Sequence, residues 1–304
     1  MEEFLQCTPL THFPLKDFSF ETAVQIGEGA SGTVYKHFQD KKYYAIKVLD
    51  SNDWEDDEFY KNSLYESFVI AHINQNNLSI HFFGYHTIST DYSDSILFIM
   101  EYVCSNGDLY DFINHPRFWN RDSNSPLDYS FENQIYVLER AKKLVISKLI
   151  IESIEQLHDK EVVHGDIKSN NILCYNDKEK EEGVNIRLID FGASVFTEGE
   201  NGLFETEWKH GTLGYSSPEE KLNNLIGLKS DIYSVGVTLI ELWAGGIWND
   251  GEDFNVCRNE VLMALRKIEK VEEKVGPILR KCISLDSKRR PTIKKLSNMF
   301  VNIQ

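Results

Sequence analysis

The sequence predicts an α+β fold of two lobes, a small β-rich N-lobe with one main helix and a larger α-helical C-lobe. Two observations favour it: residues 18–103 consist mostly of short β-type runs, and apolar residues recur at helical spacing after Val103. The lobes are expected to join near residues 101–106. The predicted domains are therefore a lead-in at residues 1–17 and one domain at 18–304, divided into about 18–103 and about 104–304.

The N-lobe contains a predicted hairpin, a helix and a further strand. The runs "TVYKHF" and "KYYAIKVL" are separated only by "QDK", which is a hairpin signal. The run "DDEFYKNSLYESFVIAHI" is long enough and periodic enough for one helix. The apolar run "ILFIMEYV" predicts another strand before the lobes join.

Two predicted helices and one long loop characterise the C-lobe. "RAKKLVISKLIIESIEQLH" and "DIYSVGVTLIELWAG" both have apolar residues at helical spacing. Residues 114–133 are rich in Asn, Ser and Pro, which predicts a surface insertion. Phe118 and Trp119 within it suit either packing into the core or a docking site, and the second alternative places a regulatory partner at this loop.

Composition excludes several classes of function. A net charge of −16 over 304 residues argues against general nucleic-acid binding, which needs clustered Lys and Arg. The five cysteines are scattered without a CxxC pair, so neither a zinc site nor a disulfide framework is indicated. The start "MEEFLQCTPL" is acidic, unlike a signal peptide, and no apolar run is long enough for a membrane span. The expected location is the cytoplasm, with the nucleus left open.

Three glycines form a candidate phosphate-binding loop. Gly27, Gly29 and Gly32 of "IGEGASGTVYK" have GxGxxG spacing, and glycine lets backbone N–H groups approach phosphates. The pattern alone is weak, because it also occurs in ordinary turns. A dinucleotide-binding site would need a helix after the glycines. Strand-type residues follow instead, which predicts a glycine loop inside a β-hairpin.

Lys47 of "YAIKVL" is the candidate cation for nucleotide phosphates. An edge-strand lysine facing solvent is the common alternative. A functional lysine in an apolar strand needs a carboxylate partner to hold it. Glu66 in the following helix is the first candidate, and Glu55 and Glu58 are alternatives nearer the helix start, where acidic residues are ordinary.

Later motifs carry a family resemblance. "HGDIKSNN", "LIDFGAS" and "GTLGYSSPEE" follow the glycine loop and Lys47 in the order of the protein kinase signature set. From about Phe18 to its C-terminus the sequence resembles a eukaryotic-type protein kinase of the Ser/Thr type, with a divergent His-Gly-Asp catalytic loop. The resemblance implies a bilobal protein-kinase-like fold, ATP and Mg²⁺ as cofactors, and phosphoryl transfer to Ser/Thr hydroxyls of protein substrates.

The resemblance also implies roles for single residues. Asp166 would accept or orient the proton of the substrate hydroxyl, and Lys168 would neutralise the transferring phosphoryl group. Asn171 and Asp190 would bind magnesium, although an aspartate after an apolar run also suits a strand-end cap. Lys47, held by Glu66, would contact the ATP phosphates.

A second set would hold the adenine. Val34 and Ala45 from the N-lobe and Leu173 from the C-lobe would form an apolar sandwich, although all three also suit a core. The backbone of Glu101 and Val103 would bind the base edge.

Four further residues resemble scaffold positions of the family. Thr212 would bridge Asp166 and Lys168. Glu219 should pair with Arg290, and Asp231 should anchor the backbone of the catalytic loop.

Gly165 stands where most family members carry an arginine that receives an activation-loop phosphate. Two other positions often carry a basic residue in the family. In this chain they are occupied by Val195 and, if Glu66 is the helix glutamate, by Asn62. The predicted consequence is that phosphorylation of the loop, for example at Thr206, is not required for activity.

Two other function classes stay open. A pseudokinase scaffold would bind partners, and nucleotide, without efficient catalysis. This alternative requires that a catalytic residue has been lost. The residues that this alternative would have to lose are all present: Lys47, Glu66, Asp166, Asn171 and Asp190. A small-molecule kinase of related fold is disfavoured by Ser217-Pro218-Glu219, Asp231 and Arg290, because these residues support a platform for protein substrates.

Overall fold

A computed structural model divides the chain into two compact units, residues 1–104 and residues 105–304. The described residues are 11–29, 32–50, 57–74, 78–89, 94–105, 107–114, 139–180, 183–197, 202–205, 211–246 and 253–303. The first unit is mainly a β-sheet and the second is mainly helical. The predicted α+β fold class with two lobes is confirmed.

An antiparallel sheet forms the first unit. Its strands are β1 (Val24–Gly29), β2 (Gly32–Gln39), β3 (Lys42–Asp50), β4 (Phe82–Ser89) and β5 (Asp94–Glu101). They lie in the order β1-β2-β3-β5-β4. The hairpin predicted at "QDK" is confirmed: Gln39 pairs with Lys42 across a two-residue turn. Asp40 and Lys41 in that turn have φ of +50° and +66°, the mirror-image turn whose twist suits a two-residue hairpin.

One helix, α1 (Asp57–Ile73), belongs to the first unit and matches the helix predicted from sequence periodicity. Its end is tied to β4 by Asn74. The Asn74 side-chain amide donates to the Phe82 carbonyl (2.9 Å), and its oxygen accepts from the Phe82 N–H (2.8 Å). This reciprocal pair fixes the helix relative to the sheet.

Residues 11–13 lie along β4 at one edge of this sheet, and Phe13, Leu15 and Phe18 pack against its apolar cluster. Phe13 donates its N–H to the Tyr85 carbonyl of β4 (2.7 Å), and the Tyr85 N–H donates to the Thr11 carbonyl (3.0 Å). Gly84 permits this approach, because a Cβ there would lie 2.2 Å from the Thr11 carbonyl oxygen. The apolar cluster beneath Phe13 consists of Tyr44, Ile46, Val48, Leu97 and Ile99. The described part of the predicted lead-in therefore contributes to the packing of the first unit.

The second unit combines helices with short strands. Its helices are α2 (Leu109–Asn114), α3 (Arg140–His158), α4 (Pro218–Asn223), α5 (Leu228–Ala244), α6 (Phe254–Val271), α7 (Val275–Cys282) and α8 (Ile293–Val301). Its strands are β6 (Gly107–Asp108), β7 (Val162–Val163), β8 (Ile172–Asn176), β9 (Val184–Leu188), β10 (Val195–Phe196), β11 (Phe204–Glu205) and β12 (Leu225–Ile226). α3 and α5 contain the two helical runs predicted from the sequence.

The core of the second unit surrounds α5. Every residue from Ser230 to Trp243 is buried, as expected for a helix enclosed on all sides. Two carboxylates, Asp231 and Glu241, are buried with it, so both need partners inside the protein. α5 therefore supplies two buried carboxylates that accept hydrogen bonds from neighbouring segments.

The predicted insertion at residues 114–133 lies outside the described residues, apart from Asn114 at the end of α2. Across the described part of the chain, no helix has both the length and the apolar character that a membrane span requires.

Candidate active site

The three predicted loop glycines lie in the hairpin of β1 and β2. Gly29 pairs with Gly32, and Gly27 pairs with Val34, so the predicted glycine loop does sit in a β-hairpin. Gly32 has φ of +121°, and a Cβ there would lie 2.6 Å from the Val48 carbonyl oxygen of β3. Only glycine fits this position. Because a strand rather than a helix follows the glycines, the dinucleotide-binding alternative is disfavoured.

The residues predicted to hold adenine in the first unit line neighbouring strands. Ala45 of β3 pairs with Met100 of β5, and both are buried, while Val34 of β2 is half-buried. β5 ends at Glu101, so Val103 lies beyond the last residue of the strand ladder. The backbone leaves the sheet at the point where the sequence predicts contacts to a base edge.

Lys47 and Glu66 form a buried ion pair in the first unit. The Lys47 Nζ lies 2.7 Å from both carboxylate oxygens of Glu66, and the two side chains are only 6% and 5% exposed. β3 supplies the lysine and α1 the glutamate. Of the alternative partners, Glu55 and the side chain of Glu58 lie outside what the structure describes. The structure thus brings Lys47 together with its first predicted partner.

In the second unit, Asp166 lies in a hydrogen-bonded set with three neighbours. Lys168 Nζ donates to Asp166 Oδ2 and to Thr212 Oγ1, both at 2.8 Å. Thr212 donates its N–H and its hydroxyl to Asp166 Oδ1, again at 2.8 Å. The Asn171 amide donates to the Asp166 carbonyl (2.8 Å) and to Asp166 Oδ2 (3.1 Å). Both carboxylate oxygens are therefore fixed in orientation, and Thr212 makes the predicted bridge.

The same contacts decide the protonation of Asp166. Burial alone would raise the pKa of this carboxyl. The charge of Lys168 and the hydrogen bonds from Lys168 and Thr212 together outweigh burial and hold the Asp166 pKa below its ordinary value. The carboxylate is therefore deprotonated at neutral pH and able to accept a proton.

Asp231 holds the backbone of the catalytic loop from beneath. Its Oδ2 accepts the His164 N–H (2.9 Å) and lies 2.9 Å from His158 Nε2, while its Oδ1 accepts the Gly165 N–H (3.1 Å). Asp231 is only 2% exposed. The predicted anchor is confirmed, and it fixes the two residues that precede Asp166.

Asn171 and Asp190 lie at one end of the β8–β9 hairpin. Ile172 pairs with Leu188, so Asn171 just before β8 and Asp190 just after β9 share that end. The Ile189 N–H also donates to the Asn171 carbonyl (3.0 Å). Asp190 has φ of +63°, which few non-glycine residues adopt and which tends to occur at functional sites.

The oxygens of these two side chains suit magnesium. Mg²⁺ prefers hard oxygen ligands and is commonly held by one or two carboxylates together with substrate phosphates. The nitrogen of the Asn171 amide is engaged by Asp166, which leaves its oxygen on the opposite side of the amide. Among the described residues, no cluster of three or more His, Cys, Asp or Glu side chains could hold a metal ion, so the two side chains would need substrate phosphates or water to complete a magnesium site.

Leu173, the third predicted adenine contact, lies in β8 two residues after Asn171. It pairs with Asp108 of β6 and Arg187 of β9 and is half-buried. Leu173 is therefore held by strands on both sides.

The predicted structural ion pair is confirmed. Arg290 donates through Nη1 and Nη2 to the two oxygens of Glu219, at 2.5 Å and 2.7 Å. The side chains are 0% and 8% exposed. Ser230 adds a hydroxyl donor to Glu219 (3.1 Å), and Arg290 also donates to the Ser284 carbonyl (2.9 Å). This bidentate pair links α4 to the segment that precedes α8.

Sequence reasoning did not identify a buried network under the catalytic loop. Tyr215 donates its hydroxyl to Glu241 Oε2 (2.8 Å) and lies 3.3 Å from the Ser169 hydroxyl. The signal available in the sequence was Glu241 itself, a charged residue within the apolar run "VGVTLIELW". Burial raises the pKa of Glu241 to about 7, and it does the same for Glu220 of α4.

The raised pKa of Glu241 predicts a pH dependence of stability. A carboxyl whose pKa rises on folding from 4.5 to about 7 binds protons more tightly in the folded state, so the free energy of unfolding falls as pH rises through this range. The Glu241→Gln variant should lack this fall, which is about 3 kcal/mol. Denaturant unfolding at pH 5 and pH 8 measures it, with Glu152→Gln on the exposed side of α3 as control. Equal pH dependence in the Glu241→Gln variant and the wild type would contradict the assignment.

Comparisons with known proteins agree with these motifs. A family model described as a protein kinase domain matches residues 20–300. The chain is 34% identical over 233 residues to stress-activated protein kinase alpha of Dictyostelium discoideum, covering 75% of this chain and 31% of that protein. It is 27% identical over 288 residues to the serine/threonine-protein kinase dst1 of the same organism, covering 90% of this chain and 33% of that protein.

A plant relative shows similar coverage. The chain is 31% identical over 225 residues to the LEAF RUST 10 disease-resistance locus receptor-like protein kinase-like 1.2 of Arabidopsis thaliana, covering 74% of this chain and 30% of that protein. The chain thus spans about a third of the length of these three relatives.

Proposed function

Because this chain belongs to the protein kinase family, we propose that it transfers the γ-phosphoryl group of ATP to Ser or Thr hydroxyls of protein substrates. One observation carries the proposal: Asp166, Lys168 and Thr212 form a closed hydrogen-bonded set around a deprotonated carboxylate. The similarity to serine/threonine kinases supports this substrate class. The catalytic domain is proposed to span residues 18–304.

Phosphoryl transfer depends mainly on positioning and charge stabilisation. In our proposal the Asp166 carboxylate orients the substrate hydroxyl and accepts its proton. Lys168, hydrogen-bonded to both Asp166 and Thr212, supplies positive charge to the transferring phosphoryl group. Thr212 holds the second oxygen of the carboxylate, so Asp166 needs no reorientation during the reaction.

Asn171 and Asp190 are the proposed metal ligands. When bound, Mg²⁺ would neutralise charge on the phosphates of ATP. The orientation of the Asn171 amide by Asp166 supports this assignment, because it couples the ligand to the proton acceptor. The unusual backbone conformation of Asp190 supports it as well.

The first unit is proposed to bind the phosphates of ATP. Lys47 would contact them, and its buried pair with Glu66 would hold the ammonium in place. The backbone N–H groups of Gly27, Gly29 and Gly32 would lie over the phosphates, since glycine removes the side chains that would keep them apart.

The adenine is proposed to lie between apolar side chains. Val34 and Ala45 would contact one face of the base, and Leu173 would contact the other. Backbone groups of Glu101 and Val103 would bind its edge, which the end of β5 at Glu101 supports.

We further propose that activity does not require phosphorylation of the activation loop. Gly165 carries no side chain, and Val195 of β10 is apolar and pairs with Val163, so neither supplies a cation for a phosphate. The side chain of Asn62 and the phosphorylation candidate Thr206 lie outside the described residues. The chain is expected to have equal activity before and after phosphatase treatment.

We also propose that a regulatory partner binds residues 114–133 and that the protein is located in the cytoplasm. Replacing residues 115–133 with a short Gly/Ser linker should preserve phosphorylation of a peptide while abolishing binding of such a partner. Loss of peptide phosphorylation in a folded variant would show that the loop takes part in catalysis.

Radiolabelled ATP tests the proposed activity directly. Wild-type protein should label a Ser/Thr peptide library, and the Asp166→Asn variant should be at least about a hundredfold slower, since removing a proton acceptor usually costs that much. The two side chains are nearly isosteric, so the variant keeps the shape of the site. Equal labelling by both proteins would refute Asp166 as the proton acceptor, and no labelling by the wild type would favour a pseudokinase scaffold.

A further inference from the structure

Gly165 lies against the backbone that follows Asp190. Its φ is +80°, and a Cβ built there would lie 2.2 Å from the Ala193 carbonyl oxygen and 3.0 Å from the Ala193 carbonyl carbon. Both are main-chain atoms, which cannot rotate away as the end of a flexible side chain could. The close approach of the catalytic loop to Ala193 therefore exists only because residue 165 has no side chain.

A second glycine approaches Gly165 as well. Gly211 precedes Thr212 and has φ of +69°, and a Cβ there would lie 2.8 Å from the Gly165 carbonyl oxygen. The backbone of Gly165 thus lies close to both Ala193, which follows Asp190 in "LIDFGAS", and Gly211, which precedes Thr212. We call Gly165, Ala193 and Gly211 the glycine junction.

Hydrogen bonds hold residues 194–197, which follow Ala193 of the glycine junction. The Ser194 hydroxyl, which is buried, donates to the His164 carbonyl (2.9 Å). Val195 and Phe196 of β10 pair with β7, and the Thr197 N–H donates to the Glu161 carbonyl (2.9 Å). Residues 194–197 are therefore attached along the strand that leads into the catalytic loop.

The residues that follow Gly211 of the glycine junction are attached to Asp166, the residue after Gly165. Thr212 donates twice to Asp166, and the Lys221 ammonium donates to the Gly211 carbonyl (3.2 Å). The Tyr215 and Ser216 N–H groups both donate back to the Thr212 carbonyl, at 2.9 Å and 3.0 Å. Consecutive residues His164, Gly165 and Asp166 thus hold both segments.

We infer that Gly165 is a positioning residue whose missing side chain lets residues 193–197 and 211–216 attach directly to the catalytic loop. This inference rests on the proposed function and supplies its mechanism of regulation. Backbone contacts at the glycine junction take over the ordering that a phosphate and an arginine would otherwise provide. Glycine at position 165 therefore removes a phosphate receptor and, at the same time, permits main-chain contact between the catalytic loop and Ala193.

The test compares alanine substitutions at two glycines that have the same φ, Gly165 and Gly245. Gly245 follows α5, has the same φ of +80° as Gly165, and has nothing within 4 Å of its built Cβ. Gly165→Ala and Gly245→Ala therefore both place a side chain at the same positive φ, but only the first adds a collision. The readouts are kcat with ATP and a peptide, and hydrogen exchange of residues 193–197 and 211–216.

In the Gly165→Ala variant we expect kcat to fall at least tenfold and exchange to rise at least tenfold in both segments. The Gly245→Ala variant should stay within twofold of the wild type in both measurements. Two results would overturn the inference: equal behaviour of the two variants, or faster exchange in only one of the two segments.

A second pair of variants applies if the Gly165→Ala variant does not fold. Ser194→Ala removes the hydroxyl that donates to the His164 carbonyl without adding atoms. Its control is Ser153→Ala in α3, where a buried hydroxyl likewise donates to a main-chain carbonyl (2.7 Å). Exchange of residues 193–197 should rise at least threefold only in the Ser194→Ala variant, and unchanged exchange would refute the inference. Because exchange does not depend on activity, an inactive wild type would refute the proposed function and leave this test decisive.

Discussion

Replacing Asp190 with asparagine is expected to lower phosphotransfer about a thousandfold or more while the protein stays folded. Several kcal/mol of charge stabilisation at the phosphates depend on the metal that this carboxylate is proposed to hold. Asparagine tolerates the left-handed backbone at this position, where φ is +63°, nearly as well as aspartate does. Initial rates with radiolabelled ATP measure the loss, and thermal unfolding checks the fold.

Lys47→Ala should cause a loss of the same order, because it removes the cation proposed to contact the phosphates. Its control is Lys42→Ala, at an exposed lysine at the start of the same strand, β3. The Lys47→Ala variant also removes the ammonium that pairs with the buried Glu66 carboxylate, so rates are compared at a temperature where both variants are folded. Near-normal turnover in the Asp190→Asn or the Lys47→Ala variant would refute that residue's assignment.

Replacing Arg290 with methionine is expected to have the largest effect on stability, about 3–5 kcal/mol. The change leaves the Glu219 carboxylate buried, with its arginine partner removed. Methionine retains much of the volume of the arginine stem, so the loss combines the uncompensated Glu219 charge with the hydrogen bonds that Arg290 donates to the Ser284 and Lys229 carbonyls. Denaturant unfolding measures the difference.

An exposed pair in the same unit provides the control. Arg280 and Glu269 also form a bidentate pair, but their side chains are 47% and 27% exposed. Arg280→Met should therefore cost less than about 1 kcal/mol. Adding Glu219→Gln to Arg290→Met should recover part of the stability, because no charge is then left buried. Equal costs for Arg280→Met and Arg290→Met would contradict the account of this ion pair.

Periodicity and motif order predicted much of the architecture. α1 and α5 each carry a long periodic run, and the tight β2–β3 turn has a clear local signal, so local pattern was sufficient for these elements. The pairing of Lys47 with Glu66 was predictable because a buried lysine in an apolar strand requires a carboxylate.

Other features depend on tertiary contacts that no local pattern encodes. The packing of Phe13 on the first sheet requires Gly84 in a strand that the sequence analysis did not single out. The backbone angle of Gly165 and its approach to Ala193 arise where segments distant in sequence meet. Glu241 has a raised pKa because α5 is enclosed on all sides, which follows from packing rather than from the residue's neighbours in sequence.

We propose that this kinase domain is active without phosphorylation of its activation loop. The most direct measurement compares initial rates of peptide phosphorylation for untreated protein, phosphatase-treated protein and the Thr206→Ala variant, with the phosphorylation state of each sample checked by mass spectrometry. We expect equal rates for all three samples, because no side chain at residue 165 or 195 supplies a cation for a phosphate. A fall of about tenfold, or roughly 1.4 kcal/mol, in both the treated protein and the variant would contradict it and would point to another cation, such as Lys61 or Lys209, as the phosphate receptor.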